Sequence, residues 1–276
     1  MTATAPSLMS QPVGSEVVDD ESLVAVLVDA AGAVARSLDG LEDWGLAGTR
    51  PWQYRSDLAA DDAALAVLHH AGLAVLSEES GLTGPEHPIL VVLDPVDGST
   101  NAARGVPWFA TSLCALDADG PRAAVVVNQA SGDRYDAVRG CGARRNGAPL
   151  RPSPATEVGE SMLALSGYPP RHLGWRQYRA LGASALDLCA VASGVVDGFV
   201  DCSRDAHGPW DYMGGLLVCT EAGASVIDAD GRDLVVREHA ARRTPLAAGT
   251  PELLAALRAR RAGMLGGSLK TGEEIS

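Results

Sequence analysis

The sequence predicts an α/β protein, with a mixed α+β first half and an α/β second half. Residues 21–38 repeat apolar side chains at helical spacing along one face, which is typical of a helix packed on a core. The apolar run 89–93 is too short for such a helix and matches a buried strand. Turn signals at Asp119-Gly120 and Ser131-Gly132 separate further apolar runs and indicate antiparallel pairing.

The other elements of the first half follow from the same two periodicities. A second helix is predicted over residues 61–70, after a loop-like stretch over 45–55. Residues 73–76 predict a strand, and a loop over 81–88 separates it from the run 89–93. Three more strands are predicted over residues 110–116, 123–128 and 133–138.

The second half continues after a linker-like stretch over residues 149–160. Gly223 is placed to end one of its helices as a left-handed cap, and Pro209 is placed to begin it. The remaining predictions are a strand over 162–166, a helical region over 176–181, a segment over 184–193, strands over 195–201 and 224–228, and a helix over 251–262.

These elements suggest two subdomains between disordered tails, although 276 residues also suit a single large unit. The predicted boundaries are a tail over 1–15, an α+β subdomain with a metal site over 16–150, an α/β subdomain with a substrate site over 151–262, and a tail over 263–276.

Composition excludes several classes of protein. Hydrophobic residues make up 46% of the chain and charged residues 21%, which is ordinary for a folded enzyme. The net charge is −13 and Lys270 is the only lysine, so we expect no nucleic-acid partner. Five cysteines without a C-x-x-C pair, and no visible signal sequence, favour reduced thiols in the cytoplasm. No apolar run approaches ~20 residues, so we expect no membrane partner.

Acidic residues follow two of the predicted strands. Glu78 comes just after the strand 73–76, and Asp94 and Asp97 come just after the run 89–93. Ligands gather at the carboxyl ends of strands in open α/β sheets. Two carboxylates this close in sequence repel each other unless a hard cation or a shared proton relieves the repulsion. The pair therefore predicts either a metal site or an acid–base pair.

Gly98, Ser99 and Asp211 extend this constellation. The backbone N–H groups of Gly98 and Ser99 are able to face an anion. Asp211 opens a predicted helix, where the macrodipole keeps a carboxylate ionised, although a simple N-cap is the ordinary alternative. The sequence shows no EF-hand spacing, no histidine pair of a zinc site and no G-x-S-x-G elbow. A ligand set made of oxygen atoms selects magnesium or manganese.

These residues resemble three ordered signatures of the inositol monophosphatase superfamily. The resemblance covers residues 21–257 and implies a layered α-β-α-β-α fold, a magnesium-dependent and lithium-sensitive phosphomonoesterase, and a homodimer. The matching segments are Ser77-Glu78-Glu79-Ser80, Asp94-Pro95-Val96-Asp97-Gly98-Ser99-Thr100-Asn101, and Trp210-Asp211 followed by Glu221-Ala222-Gly223.

The resemblance also implies roles for single residues. It implies two or three Mg²⁺ ions, with Mn²⁺ as an alternative, and water oriented by Glu78 and Ser99. Substrate would contact Ser184, Asp201 and Asp211, and its phosphate would contact Gly98 and Ser99. The first metal would bind Glu78, Asp94, Asp97 and the Val96 carbonyl, and the second would bind Asp94, Asp97 and Asp211. The catalytic residues would be Glu78, Asp97 and Ser99, and Asp97 would also contact substrate.

Two segments depart from the family pattern. The stretch 57–62 lacks the family's threonine and one residue of spacing, which leaves Asp62 as the candidate contact to a third metal. Residues 202–208 lengthen the connection between two site carboxylates, so we hypothesise that Arg204 or His207 reaches the far end of the substrate. A surface bulge is the alternative for this segment.

The predicted function is hydrolysis of a small polyol, sugar or related phosphate monoester resembling inositol 1-phosphate. Histidinol phosphate, fructose 1,6-bisphosphate and 3′-phosphoadenosine 5′-phosphate remain alternative substrates, because the shared motifs do not distinguish them. A catalytically inactive metal-binding regulator is the alternative from another class, and the residues Ala59-Ala60 are its only support.

Overall fold

A computed structural model describes residues 19–84 and 86–265, and these residues form two β-sheets and six α-helices. The predicted tail over 1–15 lies outside the described residues. The other tail was predicted to begin at residue 263, but residues 263–265 still belong to the last helix. The helices are α1 (Asp20–Asp39), α2 (Arg55–His70), α3 (Ser99–Arg104), α4 (Ser184–Ala192), α5 (Pro209–Ala222) and α6 (Pro251–Leu265).

The first sheet has eight strands in the order β2-β1-β3-β4-β5-β6-β7-β8. Strands β1 and β3 pair in parallel and every other neighbouring pair is antiparallel. The strands are β1 (Ala74–Ser77), β2 (Gly81–Thr83), β3 (Leu90–Asp97), β4 (Ala110–Asp117), β5 (Gly120–Asn128), β6 (Arg134–Val138), β7 (Gly142–Arg145) and β8 (Ala148–Pro149).

The second sheet has five strands in the order β10-β9-β11-β13-β12. Its β10, β9 and β11 pair in parallel, while β13 pairs antiparallel with both β11 and β12. The strands are β9 (Met162–Ser166), β10 (Gln177–Arg179), β11 (Gly198–Asp201), β12 (Ser225–Asp228) and β13 (Pro245–Ala248).

Alternation along β3 shows how the layers form. Val91 and Leu93 pack with α1 and α2, whereas Leu90 and Val92 pack with α4 and α5 on the other face. Successive side chains of a strand point to opposite faces, so a continuous apolar run buries both. On the second sheet, Phe199 faces α4 and α5 while Val200 faces α6. The molecule is therefore layered as α-β-α-β-α, and the predicted fold class is confirmed.

The middle layer belongs to both sheets. Every residue of α4 is buried, and one continuous core joins α4 and α5 to Val92 and Val126 of the first sheet and to Phe199 and Ala247 of the second. The predicted boundary at residue 150 falls between the sheets in the chain, but it does not separate two cores. The division into two subdomains stays a prediction.

The predicted helical region over 176–181 is wrong, because residues Gln177–Arg179 form the edge strand β10. Six residues ending near Gly182 are too few for a stable amphipathic helix, and pairing with β9 satisfies their backbone groups. The connection between β9 and β10 spans residues 167–176 without any helix. Parallel neighbours usually need a longer crossover, so this is an unusually short one.

No helix among the described residues is both long and apolar enough to cross a membrane.

Candidate active site

Two neighbouring strand ends bring the first carboxylates together. Strands β1 and β3 run in parallel, and the Glu78 N–H continues their ladder by donating to the Leu93 carbonyl over 3.1 Å. Asp94 follows Leu93 directly. Glu78 and Asp94 therefore leave adjacent strands at the same level, as expected for the carboxyl ends of a parallel pair.

A β-bulge then turns Asp97 toward the same side. Asp94 pairs with Ser112 and Asp97 pairs with Ala110, so β3 takes three steps where β4 takes two. Three steps along a regular strand would put two side chains on opposite faces, and one extra residue corrects this. Pro95 has no N–H to donate, so it fits inside a bulge where a ladder bond is missing.

Helix α5 supplies a further carboxylate, that of Asp211. Gly208 caps the helix and donates its N–H to Asp211 Oδ2 over 2.6 Å, which fixes Asp211 in the first turn. One ligand oxygen each from Glu78, Asp94 and Asp211 lies within 4.8 Å of the others. Three segments far apart in the sequence thus converge on one place, as the sequence predicts.

Burial and mutual repulsion act together on these carboxylates. Burial raises the pKa of Glu78 well above its usual range, and the charge of Asp211 raises it further. Burial likewise raises the pKa of Asp94, with Glu78 adding to the shift. Burial raises the pKa of Asp211, although the neighbouring His207 opposes this. An uncompensated buried carboxylate cluster is costly, and a hard divalent cation would relieve it, so this donor set fits Mg²⁺ or Mn²⁺.

Asp97 lies outside this group of three converging oxygens. Its Oδ2 accepts a hydrogen bond of 2.7 Å from the Ala185 N–H at the start of α4. Burial raises its pKa well above the usual range, and the charge of Asp211 raises it further. Asp97 thus belongs to the same electrostatic cluster and is also tied to the second half of the chain.

The turn after Asp97 depends on a glycine. Gly98 has φ of 89°, and a Cβ there would lie 3.0 Å from the Gly182 carbonyl oxygen and 3.1 Å from that of Trp108. Asn101 braces the same turn by donating to the carbonyls of Trp108 and Leu181, both over 2.7 Å. The turn places Ser99 beside Glu78 on the wall of a shared cavity.

A buried hydrogen-bonded chain lies beside Asp97. His207 Nδ1 is 2.9 Å from Asp201 Oδ2, and His207 Nε2 is 2.7 Å from Ser184 Oγ. Asp201 is fully buried, and its Oδ1 already accepts from the Ser203 N–H over 2.8 Å. Asp201 has no exposed surface through which to meet a substrate, whereas Ser184 is 7% exposed and directly precedes the Ala185 that binds Asp97.

The structure separates the two hypotheses for the segment 202–208. Arg204 is exposed, whereas His207 is buried in the chain of polar groups just described. Burial lowers the pKa of His207, but the hydrogen bond to Asp201 and the charge of Asp211 outweigh it and leave the pKa raised. Of the two candidates, His207 is the one that lies among the predicted site residues.

The structure places Asp57 beside Glu78, whereas Asp62, the predicted third-metal contact, lies away from this cavity. Asp62 is exposed on α2, while Asp57 is 5% exposed and lines the cavity with Glu78. Helix α2 begins at Arg55, six residues earlier than predicted, because Asp57 Oδ2 accepts the Tyr54 N–H over 2.8 Å. Tyrosine is not a typical N-cap residue, so this start gave no signal in the sequence. Burial raises the pKa of Asp57 to about 7.

A cavity of about 180 Å³ lies beside Asp57, Glu78 and Ser99. A larger cavity of about 660 Å³ lies between α1 and the first sheet and contains none of the converging carboxylates, so the chemistry belongs to the smaller one. Sequence reasoning missed Arg50, because a single arginine in a loop without periodicity gives no signal. The smaller cavity is lined by Arg50, Pro51, Trp52, Gln53, Asp57, Glu78, Glu79 and Ser99.

A layered fold with an acidic centre beside the turn at Gly98 and Ser99 is the arrangement expected of a phosphatase that acts with bound metal ions. The family model described as "Inositol monophosphatase family" matches residues 55–262. The chain belongs to this family, and it is a phosphoric monoester hydrolase.

Individual relatives agree with this assignment. A fructose-1,6-bisphosphatase/inositol-1-monophosphatase of Archaeoglobus fulgidus is 32% identical over 226 residues, covering 78% of this chain and 88% of the relative. The Nus factor SuhB of Escherichia coli is 34% identical over 173 residues, or 57% of this chain and 63% of the relative. The structure of the inositol monophosphatase from Anabaena superposes with a TM-score of 0.73 at 26% identity, covering 88% of this chain and 96% of that one.

Proposed function

We propose that the protein hydrolyses the phosphate monoester of a small polyol, sugar or related alcohol, with inositol 1-phosphate as the model substrate. The observation that carries this proposal is the convergence of Glu78, Asp94 and Asp211 beside the turn at Gly98 and Ser99. Net hydrolysis forms a bond from a water oxygen to phosphorus and breaks the bond from phosphorus to the ester oxygen, which leaves as an alcohol after gaining a proton.

The carboxylates would hold two Mg²⁺ ions, with Mn²⁺ as the alternative and a third ion beside Asp57. When bound, the ions would lower the pKa of water and neutralise charge on the phosphoryl oxygens. The first ion would bind Glu78, Asp94, Asp97 and the Val96 carbonyl, and the second would bind Asp94, Asp97 and Asp211.

Protein groups would position the reacting atoms. The N–H groups of Gly98 and Ser99 and the Ser99 hydroxyl would hold the phosphate, as backbone donors in a tight turn can. Glu78 shares a cavity with Ser99, which suits both to orient the attacking water. Asp97 is held by the Ala185 N–H, so it would keep its place while contacting metal and substrate.

The alcohol would lie on the side of Ser184, Asp201 and Asp211. The Ser184 hydroxyl and the His207 ring are hydrogen-bonded to each other on that side, and His207 is also bonded to Asp201. Such a wall suits an alcohol that carries further hydroxyl groups. Histidinol phosphate, fructose 1,6-bisphosphate and 3′-phosphoadenosine 5′-phosphate remain alternatives, and the double name of the Archaeoglobus relative leaves the choice open.

The test is phosphate release from a panel of these four esters with Mg²⁺, with and without lithium. We expect release from at least one ester, with inhibition by lithium. Release from none of them would overturn the proposal and favour a metal-binding regulator. The resemblance also implies a homodimer, and gel filtration of the full chain tests this oligomeric state. The five cysteines without a C-x-x-C pair favour the cytoplasm.

Asp97→Asn tests the site itself. The amide keeps the shape of the side chain but removes the charge that metal binding needs, so turnover should fall by two or more orders of magnitude. Circular dichroism should remain that of the folded protein. Retention of more than about a tenth of the rate would contradict the assigned role, since losses of metal-binding charge normally span several decades.

A further inference from the structure

The loop before α2 contacts α3, the helix that follows the proposed phosphate-binding turn. Leu46 and Tyr54 form an isolated β-bridge that closes this loop, and the Ala47 N–H donates to the Gln53 carbonyl over 2.8 Å inside it. The Tyr54 hydroxyl lies 3.3 Å from Thr100 Oγ1 in α3. The loop is therefore a defined structure that contacts the helix beginning at Ser99.

Arg50 brings a positive charge from this loop to the cavity. Among the eight residues that line the cavity in the described part of the chain, Arg50 is the only cationic one. Its guanidinium forms an ion pair with the Glu79 carboxylate and donates to the Glu79 carbonyl over 3.0 Å. Gln53 Nε2 hydrogen-bonds to the same carboxylate. Glu79, the residue next to Glu78, thus holds the loop in place through these contacts.

The two partners of this ion pair differ in freedom. The Glu79 side chain is 8% exposed, whereas the Arg50 side chain is 47% exposed. A half-exposed guanidinium has five N–H donors, so it can keep one contact with Glu79 and offer others to a second anion. Arg50 therefore sits at the cavity with donors to spare.

The negative charge of the site makes a positively charged donor useful for binding an anion. Three carboxylates, those of Asp57, Glu78 and Glu79, line the cavity with Ser99, and only Glu79 is paired with Arg50. A phosphate dianion would meet a negative environment inside a protein of net charge −13.

We propose that Arg50 is a catalytic residue that donates hydrogen bonds to a non-bridging oxygen of the substrate phosphate, on the same side as Glu78 and Ser99. This inference rests on the proposed function. Arginine suits the task, because its planar donors match phosphate oxygens and remain charged at all relevant pH values. As the phosphoryl group transfers, the guanidinium stabilises the charge that collects on these oxygens.

Arg242 is another cation near the carboxylates, and it is less suited to this role. Its guanidinium lies 5.1 Å above the Trp210 ring and donates to the carbonyls of His239 and Ala241, both over 2.8 Å. It is not among the residues that line the cavity with Ser99. These contacts occupy Arg242 within its own loop.

The experiment compares Arg50→Ala, Arg50→Gln and Arg50→Lys with the wild type, in Mg²⁺, on the best ester of the panel. We expect kcat/KM to fall about 100-fold in the alanine and glutamine variants and to recover partly in the lysine variant. Calorimetric titration with inorganic phosphate should show binding about tenfold weaker in Arg50→Ala. This second measurement needs no turnover.

Arg55→Ala is the matched control. Arg55 forms an ion pair with Asp43, its side chain is 48% exposed, and it does not line the cavity. If Arg50 only stabilised the loop, Arg50→Ala would lower the urea midpoint. Phosphate binding would then not weaken in Arg50→Gln, provided that this variant stays folded. Activity and phosphate binding of Arg50→Gln within threefold of wild type, or an equal loss in Arg55→Ala, would overturn the inference. If the wild type hydrolyses no ester of the panel, the proposed function fails instead.

Discussion

Asp187 is a buried carboxyl that should make the stability of this fold depend on pH. It is 1% exposed in α4, and its Oδ1 accepts the Trp108 Nε1–H over 3.0 Å. Burial raises its pKa from 3.8 to about 7, although the bond from Trp108 opposes the shift. A carboxyl whose folded pKa is raised takes up a proton on folding, so its contribution to stability falls as pH rises from about 4 to about 7.

Asp187→Asn should therefore stabilise the protein at pH 8 and leave it nearly unchanged at pH 4. The amide keeps the acceptor for Trp108 and removes the charge, and we expect a gain of roughly 2 kcal/mol at pH 8. Urea unfolding at both pH values measures this difference. An equal effect at the two pH values would show that the carboxyl is not the source of the pH dependence.

At the same scale, the sequence identified residues whose position follows from strand ends and missed those held by irregular backbone. Glu78 and Asp94 were predictable because each follows a buried strand, and parallel neighbours end together. Asp57 and Arg50 were not predictable, because neither the start of a helix capped by a tyrosine nor a loop shows a periodic pattern in the sequence. The bond of Asp201 to His207 is tertiary and has no sequence signature.

At the scale of elements, the turn from β3 to α3 depends on Gly98. Any side chain there would have to adopt φ near 89° and would approach two carbonyl oxygens at 3.0 and 3.1 Å. Gly98→Ala should cost about 3 kcal/mol of unfolding free energy, because left-handed strain and backbone crowding add. It should also lower kcat/KM by displacing Ser99.

Gly105→Ala is the control for this turn. Gly105 ends α3 with φ of 72°, but a Cβ there would meet nothing within 4 Å. Only the left-handed strain of about 1 kcal/mol should appear in urea unfolding. Equal losses in the two variants would mean that the contacts of Gly98 with the carbonyls have no energetic effect.

Elements with strong periodicity were predicted well, whereas the short strands β10 and β13 were not. Helix α1 was predicted within one residue at each end, because its apolar face is continuous and Asp19 caps it by accepting the Ser22 N–H over 2.7 Å. Strand β10 is exposed throughout, so its pattern carries no information about a buried face. Strand β13 begins at a proline and contains two alanines, which are weak strand formers, although pairing on both sides buries it.

For the whole molecule, the carboxylate cluster should link stability to both pH and metal. Burial and mutual repulsion raise the pKa values of Glu78, Asp94 and Asp97, so the metal-free fold should lose stability as pH rises above about 4. Mg²⁺ at 100 times its dissociation constant should restore about 2.7 kcal/mol at pH 8 for each site. Urea unfolding in EDTA and in Mg²⁺, at pH 5.5 and pH 8, tests this. A larger gain from Mg²⁺ at pH 5.5 would contradict it.

The helices between the two sheets have a consequence for anyone who cuts this chain. A fragment ending near residue 150 would keep the inner face of the first sheet but lose α4 and α5, which cover it. The complementary fragment would keep both helices, but the surface that they pack against the first sheet would be exposed. Each fragment would expose a large apolar surface to water and would be expected to aggregate. Truncations for crystallisation or fusion should therefore be confined to the ends of the polypeptide.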